Sequence, residues 1–198
     1  MAEKQQMDIR MTDFIRDCVD VEKFAACCQI CPGHGKTWSC PPLSFKPEEL
    51  WANYDSVLLQ CRVIPVPQEL QEATFPSEQL NRSSKALLRH DKQSMLLEML
   101  DLEKQFPGSM ALSAGSCDVC AEGTCTRLQE DPCRNPGMMR YSIEALGGDV
   151  GKALKLYFDK EILWGKDGHM PPYYILLGGL LKKATQKIEA KEMGYRVW

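Results

Sequence analysis

The chain has 198 residues, 44% of them hydrophobic, and a formal net charge of −3, a composition that is ordinary for a globular protein. This length suits one domain over residues 1–198 with a core of its own. Its 24 basic residues are scattered, so no broad basic field is available for nucleic acid or for a membrane surface. The N-terminus has no signal-peptide pattern and no apolar run approaches the roughly 20 residues of a bilayer span, so we expect a cytoplasmic protein.

The first half of the chain contains three clear patterns. We expect a helix within residues 8–26, and a second one from Pro47, where proline occupies the first turn and acidic residues follow. Ser56–Ile64 is short, rich in branched residues and followed by prolines, which predicts a strand. Ser77–Phe106 predicts a long helix capped by Ser77, with a methionine- and leucine-rich stripe that we interpret as core packing.

Strands and helices alternate through the second half. The predicted elements are a strand over Ser109–Ala114, a short helix over Ser142–Leu146, a helix capped by Asp149 that ends at Phe158, a strand over Tyr173–Leu177 and a closing helix over Leu180–Glu192. We expect Gly178-Gly179 to end the last strand. The predicted class is α/β, a small sheet flanked by helices, with two cysteine-rich metal-binding loops at about residues 27–42 and 115–136.

Seven of the ten cysteines form two clusters within these loops, one from Cys28 and one from Cys117, and each cluster opens with Cys-x-x-Cys. In a reducing compartment such cysteines are metal ligands or redox groups more often than disulfides. A Cys-x-x-Cys turn directs two thiolates at one centre, and tight loops bring in others. The pattern therefore indicates a metal protein.

The second loop carries four cysteines in the spacing C-x2-C-x4-C-x7-C: Cys117, Cys120, Cys125 and Cys133. Four thiolates can close a tetrahedral zinc site or hold a [4Fe-4S] cluster. One Cys-x-x-Cys pair followed by single cysteines at widening gaps is more typical of ferredoxin loops than of a zinc ribbon. The spacing favours an iron–sulfur cluster and leaves zinc as the alternative.

The first loop carries Cys28, Cys31 and Cys40, of which the last two precede proline. Three cysteines could hold a second cluster with one iron open to a substrate or to a remote ligand. The candidates for a fourth ligand are Cys18, Cys27, Cys61 and His34. A Cys3His zinc site that uses His34, and one mixed site that draws on both loops, are the alternatives. Cys18, Cys27 and Cys61 are otherwise interpreted as ordinary thiols, with Cys61 inside the strand.

Several residues beside the cysteines are candidates for cofactor binding. Gly33–Thr37 looks like a phosphate-binding loop, but Ile30 occupies the position of its first glycine, which excludes that motif. Lys36 could instead donate to cluster sulfides, Trp38 could shield the site from water, and Arg134 could stabilise the cluster charge. Arg134 and Arg140 could equally pair with local carboxylates.

Two signatures resemble the predicted metal-binding proteins of domain-of-unknown-function family 2284. The first is Cys31-Pro32 with Gly35-Lys36-x-Trp38-Ser39-Cys40-Pro41-Pro42; the second comprises Gly115-x-Cys117-x-x-Cys120, Cys133-Arg134-x-Pro136 and Ser142-x-Glu144-Ala145-x-Gly147-x-Asp149-Val150. The resemblance covers about residues 20–180 and implies metal binding. Relatives are often aromatic at the position of His34, which weakens that histidine as a ligand.

Two function hypotheses follow from these residues. The first is a cytoplasmic iron–sulfur protein with an electron-transfer or redox-accessory role, one or two [4Fe-4S] clusters and a redox protein partner. The alternative is a zinc-stabilised binding module without redox activity. A third hypothesis uses the Cys-x-x-Cys thiols directly, in metal transfer or thiol redox chemistry.

Overall fold

A four-stranded antiparallel sheet with helices on both faces forms the body of the computed structural model, which describes residues 3–183. The strands lie in the order β1-β2-β4-β3, and are β1 (Glu3–Arg10), β2 (Ser56–Pro65), β3 (Met110–Leu112) and β4 (Tyr173–Lys182). The helices are α1 (Met11–Cys18), α2 (Val21–Gln29), α3 (Pro47–Ala52), α4 (Gln68–Glu72), α5 (Ser77–Gln105) and α6 (Val150–Phe158), with 3-10 turns at Thr126–Gln129 and Glu144–Leu146. The α/β class is confirmed.

The centre of the sheet is buried on both faces, one by the main core and the other by α5. On β2, Val57 and Leu59 face a core shared with α1, α3 and α6, which includes Phe14 and Trp51. Side chains of the opposite parity face α5, which buries Met95 and Met99. The interpretation of the α5 stripe as core packing is confirmed, since these two methionines are at most 1% exposed.

Four of the predicted elements match closely, including the helix that ends at Phe158. The strand at Ser56, the helix at Pro47 and the long helix from Ser77 all begin where the patterns placed them. Asp149 caps α6, and its carboxylate accepts a hydrogen bond from the Lys152 N–H at 2.9 Å. The cap of α5 was predicted wrongly: Pro76 is the N-cap, and Ser77 is the first helical residue.

The predicted helix over residues 8–26 is wrong at its start and in its middle. Residues 3–10 form β1, an edge strand that pairs with β2 and buries only Ile9. The helical part is divided at Asp20, which caps α2 by accepting from the Lys23 N–H at 3.0 Å. An asparagine or aspartate that bonds to the backbone in this way starts a new helix.

The predicted break at Gly178-Gly179 is also wrong, because both glycines lie inside β4. A Cβ atom on Gly179 would lie 2.7 Å from the carbonyl oxygen of Leu58, on the paired strand. The glycines therefore permit close backbone approach rather than ending the strand. Residues 180–182 are strand where a helix was predicted, and residues 184–192 of that helix lie outside the described residues.

The remaining elements are shorter than predicted. The strand over Ser109–Ala114 is reduced to β3, and the helix over Ser142–Leu146 is the single 3-10 turn Glu144–Leu146, which ends at Gly147 with φ of 83°. Among residues 3–183, none of the helices is long and apolar enough to cross a membrane.

Candidate metal centre

The two cysteine loops start from different elements, a helix and a strand. The first loop, residues 27–42, begins in the last turn of α2, which contains Cys27 and Cys28, and the second loop, residues 115–136, follows β3. None of the ten cysteines forms a disulfide; Cys18 and Cys61 are buried in the core, and the other eight are half-buried or exposed. We call the two loops together the cysteine lobe.

The first loop folds as a series of tight turns around its thiols. The Cys31 N–H donates to the Cys28 carbonyl at 3.1 Å, and the His34 N–H donates to the Cys31 carbonyl at 3.0 Å. The loop closes where the Gly35 N–H donates to the Pro41 carbonyl at 2.9 Å. The Gly33 N–H points at the Cys31 Sγ, 3.4 Å away, the type of N–H···S contact that stabilises a thiolate.

The second loop is closed at its base and anchored to α5. The Ser113 N–H donates to the Tyr141 carbonyl at 2.9 Å, which brings the two ends of the segment together. Lys92 of α5 donates to the Ser116 carbonyl at 3.2 Å and pairs with Asp118 at 3.1 Å. Within the loop, the Asn135 side-chain amide donates to the Cys120 Sγ at 3.2 Å.

Arg127 joins the two loops. Its guanidinium donates to the carbonyls of Thr37 and Pro42, at 2.7 Å each, and to the carbonyl of Cys40. The same guanidinium lies 5.3 Å from the centre of the Trp38 ring. A planar five-donor group can hold several carbonyls at once, so one side chain from the second loop fixes the path of the first.

Two further contacts connect the loops on either side of Arg127. The Trp38 indole N–H donates to the Asp131 carbonyl at 3.1 Å. Ser39 is buried, and its hydroxyl accepts a hydrogen bond from the Cys117 N–H at 3.0 Å. Because Ser39 adjoins Cys40, this bond places the end of the first cysteine set beside the start of the second.

The thiols within each loop interact electrostatically. Burial raises the pKa of Cys28, and the neighbouring Cys31 and Cys40 raise it further. Burial likewise raises the pKa of Cys117, with smaller contributions from Asp118, Cys120 and Cys133 in the same direction. Like charges that oppose each other's ionisation in this way are compensated when a cation binds between them.

The cysteines of the two loops are suitable ligands for a thiolate-bound metal centre, although their sulfur atoms do not converge on one position. Among residues 3–183, no group of three or more His, Cys, Asp or Glu side chains converges closely enough to hold a metal ion. The chemistry of the donors still matches, because neighbouring thiols and N–H···S contacts occur in both loops.

The other residues predicted to bind a cofactor lie at different places in or beside the cysteine lobe. Trp38 lies at the junction of the loops, whereas Lys36 is exposed on the first loop. Arg134 is exposed and donates to the Thr124 carbonyl within the second loop. Arg140 pairs with Glu103 at 2.6 Å, one of the two roles expected for it.

The candidates for a fourth ligand of the first cysteine set also lie in different parts of the structure. Cys18 and Cys61 are each 1% exposed, in the core. Cys27 is exposed on α2, and His34 lies in the first loop beside Cys31.

Sequence reasoning missed Arg127 and Glu144. Arg127 lies in the seven-residue gap before Cys133, and only the fold reveals its bonds to the other loop. Glu144 was part of a signature, but no role was predicted for it. Its Oε2 is buried and has no hydrogen-bond partner, and burial raises the pKa of the carboxyl.

The comparison with protein families agrees with this chemistry. Residues 15–177 match the family model described as predicted metal-binding protein (DUF2284). The chain belongs to this family. The DUF2284 match includes both cysteine loops and the turn that carries Glu144. No curated protein and no solved structure matches the chain significantly.

Proposed function

We propose that this DUF2284 protein is a cytoplasmic iron–sulfur protein that transfers electrons to a redox protein partner. Cys117, Cys120, Cys125 and Cys133 hold one [4Fe-4S] cluster. Cys28, Cys31 and Cys40 hold a second cluster. The clusters would supply reversible one-electron chemistry, and the chain's own residues hold, shield and connect them.

The junction at Ser39 and Arg127 is the observation that carries this proposal. Because Ser39 accepts from the Cys117 N–H and adjoins Cys40, the two cysteine sets meet instead of lying on separate surfaces. A structural zinc site needs no second set beside it, whereas two neighbouring clusters can exchange electrons. The adjacency therefore supports a redox role over a purely structural one.

The hydrogen bonds to sulfur fit the iron–sulfur proposal, because such donors stabilise the thiolates that hold a cluster. Gly33 and Asn135 place N–H groups at the sulfurs of Cys31 and Cys120, at 3.4 and 3.2 Å. Such donors and the exposure of the site are among the factors that tune the reduction potential of a cluster. The single Cys-x-x-Cys pair in each loop points in the same direction.

The partner is proposed from the apolar surface of the lobe. Ile30, between Cys28 and Cys31, is 87% exposed, and Leu128, between Cys125 and Cys133, is 49% exposed. Exposed aliphatic side chains within a cluster-binding loop suit transient contact with a second redox protein. Replacing Ile30 by serine should slow electron transfer to the partner without changing the metal content.

The experiment is purification without oxygen, followed by iron, sulfide and zinc analysis and an absorption spectrum before and after reduction. Two clusters predict about eight irons and as many sulfides per chain. Zinc without sulfide would overturn the proposal in favour of a zinc-stabilised binding module. A colourless protein without metal would overturn both.

Paired cysteine variants determine how many clusters are present. If the clusters are separate, Cys120→Ser should remove about four irons and leave the signal of the first set, and Cys31→Ser should do the converse. Loss of all iron in either variant would show one mixed centre. Cys27→Ser is the matched control, because Cys27 is an exposed thiol beside Cys28 and is not assigned as a ligand.

A further inference from the structure

We propose that the chain forms a symmetric dimer in which the β1 strands of two copies pair antiparallel about a twofold axis through Gln6. The two four-stranded sheets then join into one sheet of eight strands, with β3 at either end. The paired strands lie outside both cysteine loops, so the dimer does not depend on which metal those loops hold.

β1 is the open edge of the sheet. It pairs with β2 along its whole length, and among residues 3–183 no strand pairs with its other side. Proteins usually protect such an edge with a short strand, a proline or a β-bulge. The opposite edge, β3, has only three residues, whereas the eight residues of β1 keep a continuous register and include no proline. The outward N–H and C=O groups of β1 can therefore pair with another extended strand.

A groove runs along this open edge. Side chains from both faces of β1 line it, Met7 and Ile9 from one face and Asp8 from the other, and Leu156 of α6 lines it as well. Met7 is 40% exposed and Leu156 is 53% exposed, so apolar surface borders the position that an added strand would take. Covering these side chains favours association.

Symmetry restricts the register in which two β1 strands can pair. The axis of an antiparallel pair is perpendicular to the sheet and passes through a residue, because residues that face each other across the strands must lie on the same face. Axes through Gln6 or Met7 pair the most residues. The axis through Gln6 places Lys4 opposite Asp8 of the second copy, whereas the axis through Met7 would place Lys4 opposite Arg10. Opposite charges across two strands stabilise the pair and like charges destabilise it, which selects the axis through Gln6.

The charges beside β1 fit the same register. Lys4 pairs with Glu98 at 2.7 Å, and Asp8 pairs with Lys182. Lys4 and Asp8 are still 45% and 50% exposed, so each can take a second partner. Contact between Lys4 and Asp8 of the second copy joins these ion pairs into a row of alternating sign. Charged side chains usually discourage an edge strand from pairing with itself, whereas those of β1 are complementary to themselves in this register.

The test measures the mass of the full-length chain by analytical ultracentrifugation over a range of concentrations. The wild type should approach twice the mass of one chain. Lys4→Glu and Asp8→Lys should each weaken the dimer at least about tenfold, because both charge contacts across the axis become contacts between like charges. An equimolar mixture of the two variants should dimerise again, because the introduced carboxylate then faces the introduced ammonium group.

Lys46→Glu is the matched control, because Lys46 is an exposed lysine beside α3 that pairs with Glu49, and its variant should dimerise as the wild type does. A wild-type protein that stays monomeric, or two weakened variants that do not recombine in the mixture, would overturn the β1 interface. A tighter dimer in Lys4→Glu would place Arg10 opposite Lys4 and overturn the axis through Gln6. Each of these results leaves the iron–sulfur function intact, because the test reads mass and not metal content.

Discussion

The sheet core and the cysteine lobe are stabilised by different interactions. The core buries large apolar side chains completely, including Phe14, Trp51 and Leu59. The lobe exposes Ile30 and Leu128, and its two loops are connected through hydrogen bonds to backbone carbonyls. The core should therefore fold without metal, whereas the lobe depends on a few directional contacts and on its ligands.

The reactivity of the cysteines should separate the two regions most strongly. Burial raises the pKa of Cys18 and of Cys61 to about 11, which leaves little thiolate at pH 7.5. In native, metal-free protein we expect both thiols to react with iodoacetamide at least about a hundredfold more slowly than an unperturbed thiol. Mass spectrometry of peptides after timed labelling measures each rate.

Exposed Cys27 is the internal reference for that labelling, and urea-unfolded protein is the control in which all ten thiols should react alike. Metal loading should protect the seven assigned ligands and leave Cys27 reactive. Rapid labelling of Cys61 in the native state would contradict the separation of core from lobe.

The next largest effect is expected for substitution of Arg127, and it should be confined to the cysteine lobe. Arg127→Ala removes three donated hydrogen bonds between the loops and the contact with Trp38. Hydrogen bonds from charged groups contribute about 1.5–3 kcal/mol each, so we expect iron release to a chelator to accelerate by about 10–100-fold. Global unfolding in urea should change little.

Arg82→Ala is the matched control, because Arg82 is an exposed arginine that pairs with Glu78 on its own helix, and the next turn of that helix contacts the second loop through the Lys85–Glu122 ion pair. Its release rate should stay within about threefold of the wild-type rate. Equal effects of the two substitutions would show that any positive charge lost near the site weakens it, and that the junction has no special role.

The parts of the fold predicted correctly are those with a strong local pattern. The branched residues of β2 and the apolar stripe of α5 determine their own conformations. β1 was missed because it is an edge strand with polar residues at nearly every position, and pairing with β2 makes it a strand. The glycines of β4 were misinterpreted because close contact with Leu58 is a tertiary feature.

Prediction of the candidate site from the sequence was limited in the same way. Cysteine spacing indicated both loops, since ligand chemistry restricts which residues can occur there. Spacing says nothing about which loops meet, so the contact of Arg127 with Thr37 and Pro42 had no signal in the sequence. Glu144 was equally hidden, because its burial depends on how its turn packs against α2.

A pair of glycine substitutions compares the packing of the two regions directly. In Gly179→Ala the new methyl group would meet the Leu58 carbonyl at 2.7 Å in the centre of the sheet, which should destabilise the fold by about 1–3 kcal/mol. Gly137→Ala, beside the lobe, meets no atom within 4 Å and should change stability by less than about 0.5 kcal/mol. Urea midpoints measure both, and equal shifts would contradict the difference in packing.

The smallest expected effect concerns Glu103, where the core meets the base of the second loop. Burial alone would raise the pKa of Glu103, but hydrogen bonds from Arg140 and from the Ala111 N–H outweigh it and lower that pKa. A lowered pKa in the folded state stabilises the protein above the unfolded value of about 4.3, and this stabilisation is lost as the pH falls through the folded value.

Replacing Glu103 by glutamine should therefore lower stability most near pH 6 and least near pH 3, and urea unfolding across that range measures the difference. Glu69→Gln, at an exposed position, should show no such dependence on pH.

The Arg140 carbonyl also accepts a hydrogen bond from the Ser113 hydroxyl at the base of the second loop. Loss of the Glu103–Arg140 ion pair should therefore also weaken the base of the second loop and speed the release of iron to a chelator. If the Glu103→Gln protein releases iron as slowly as the wild type, the core and the cysteine lobe are not coupled through this ion pair.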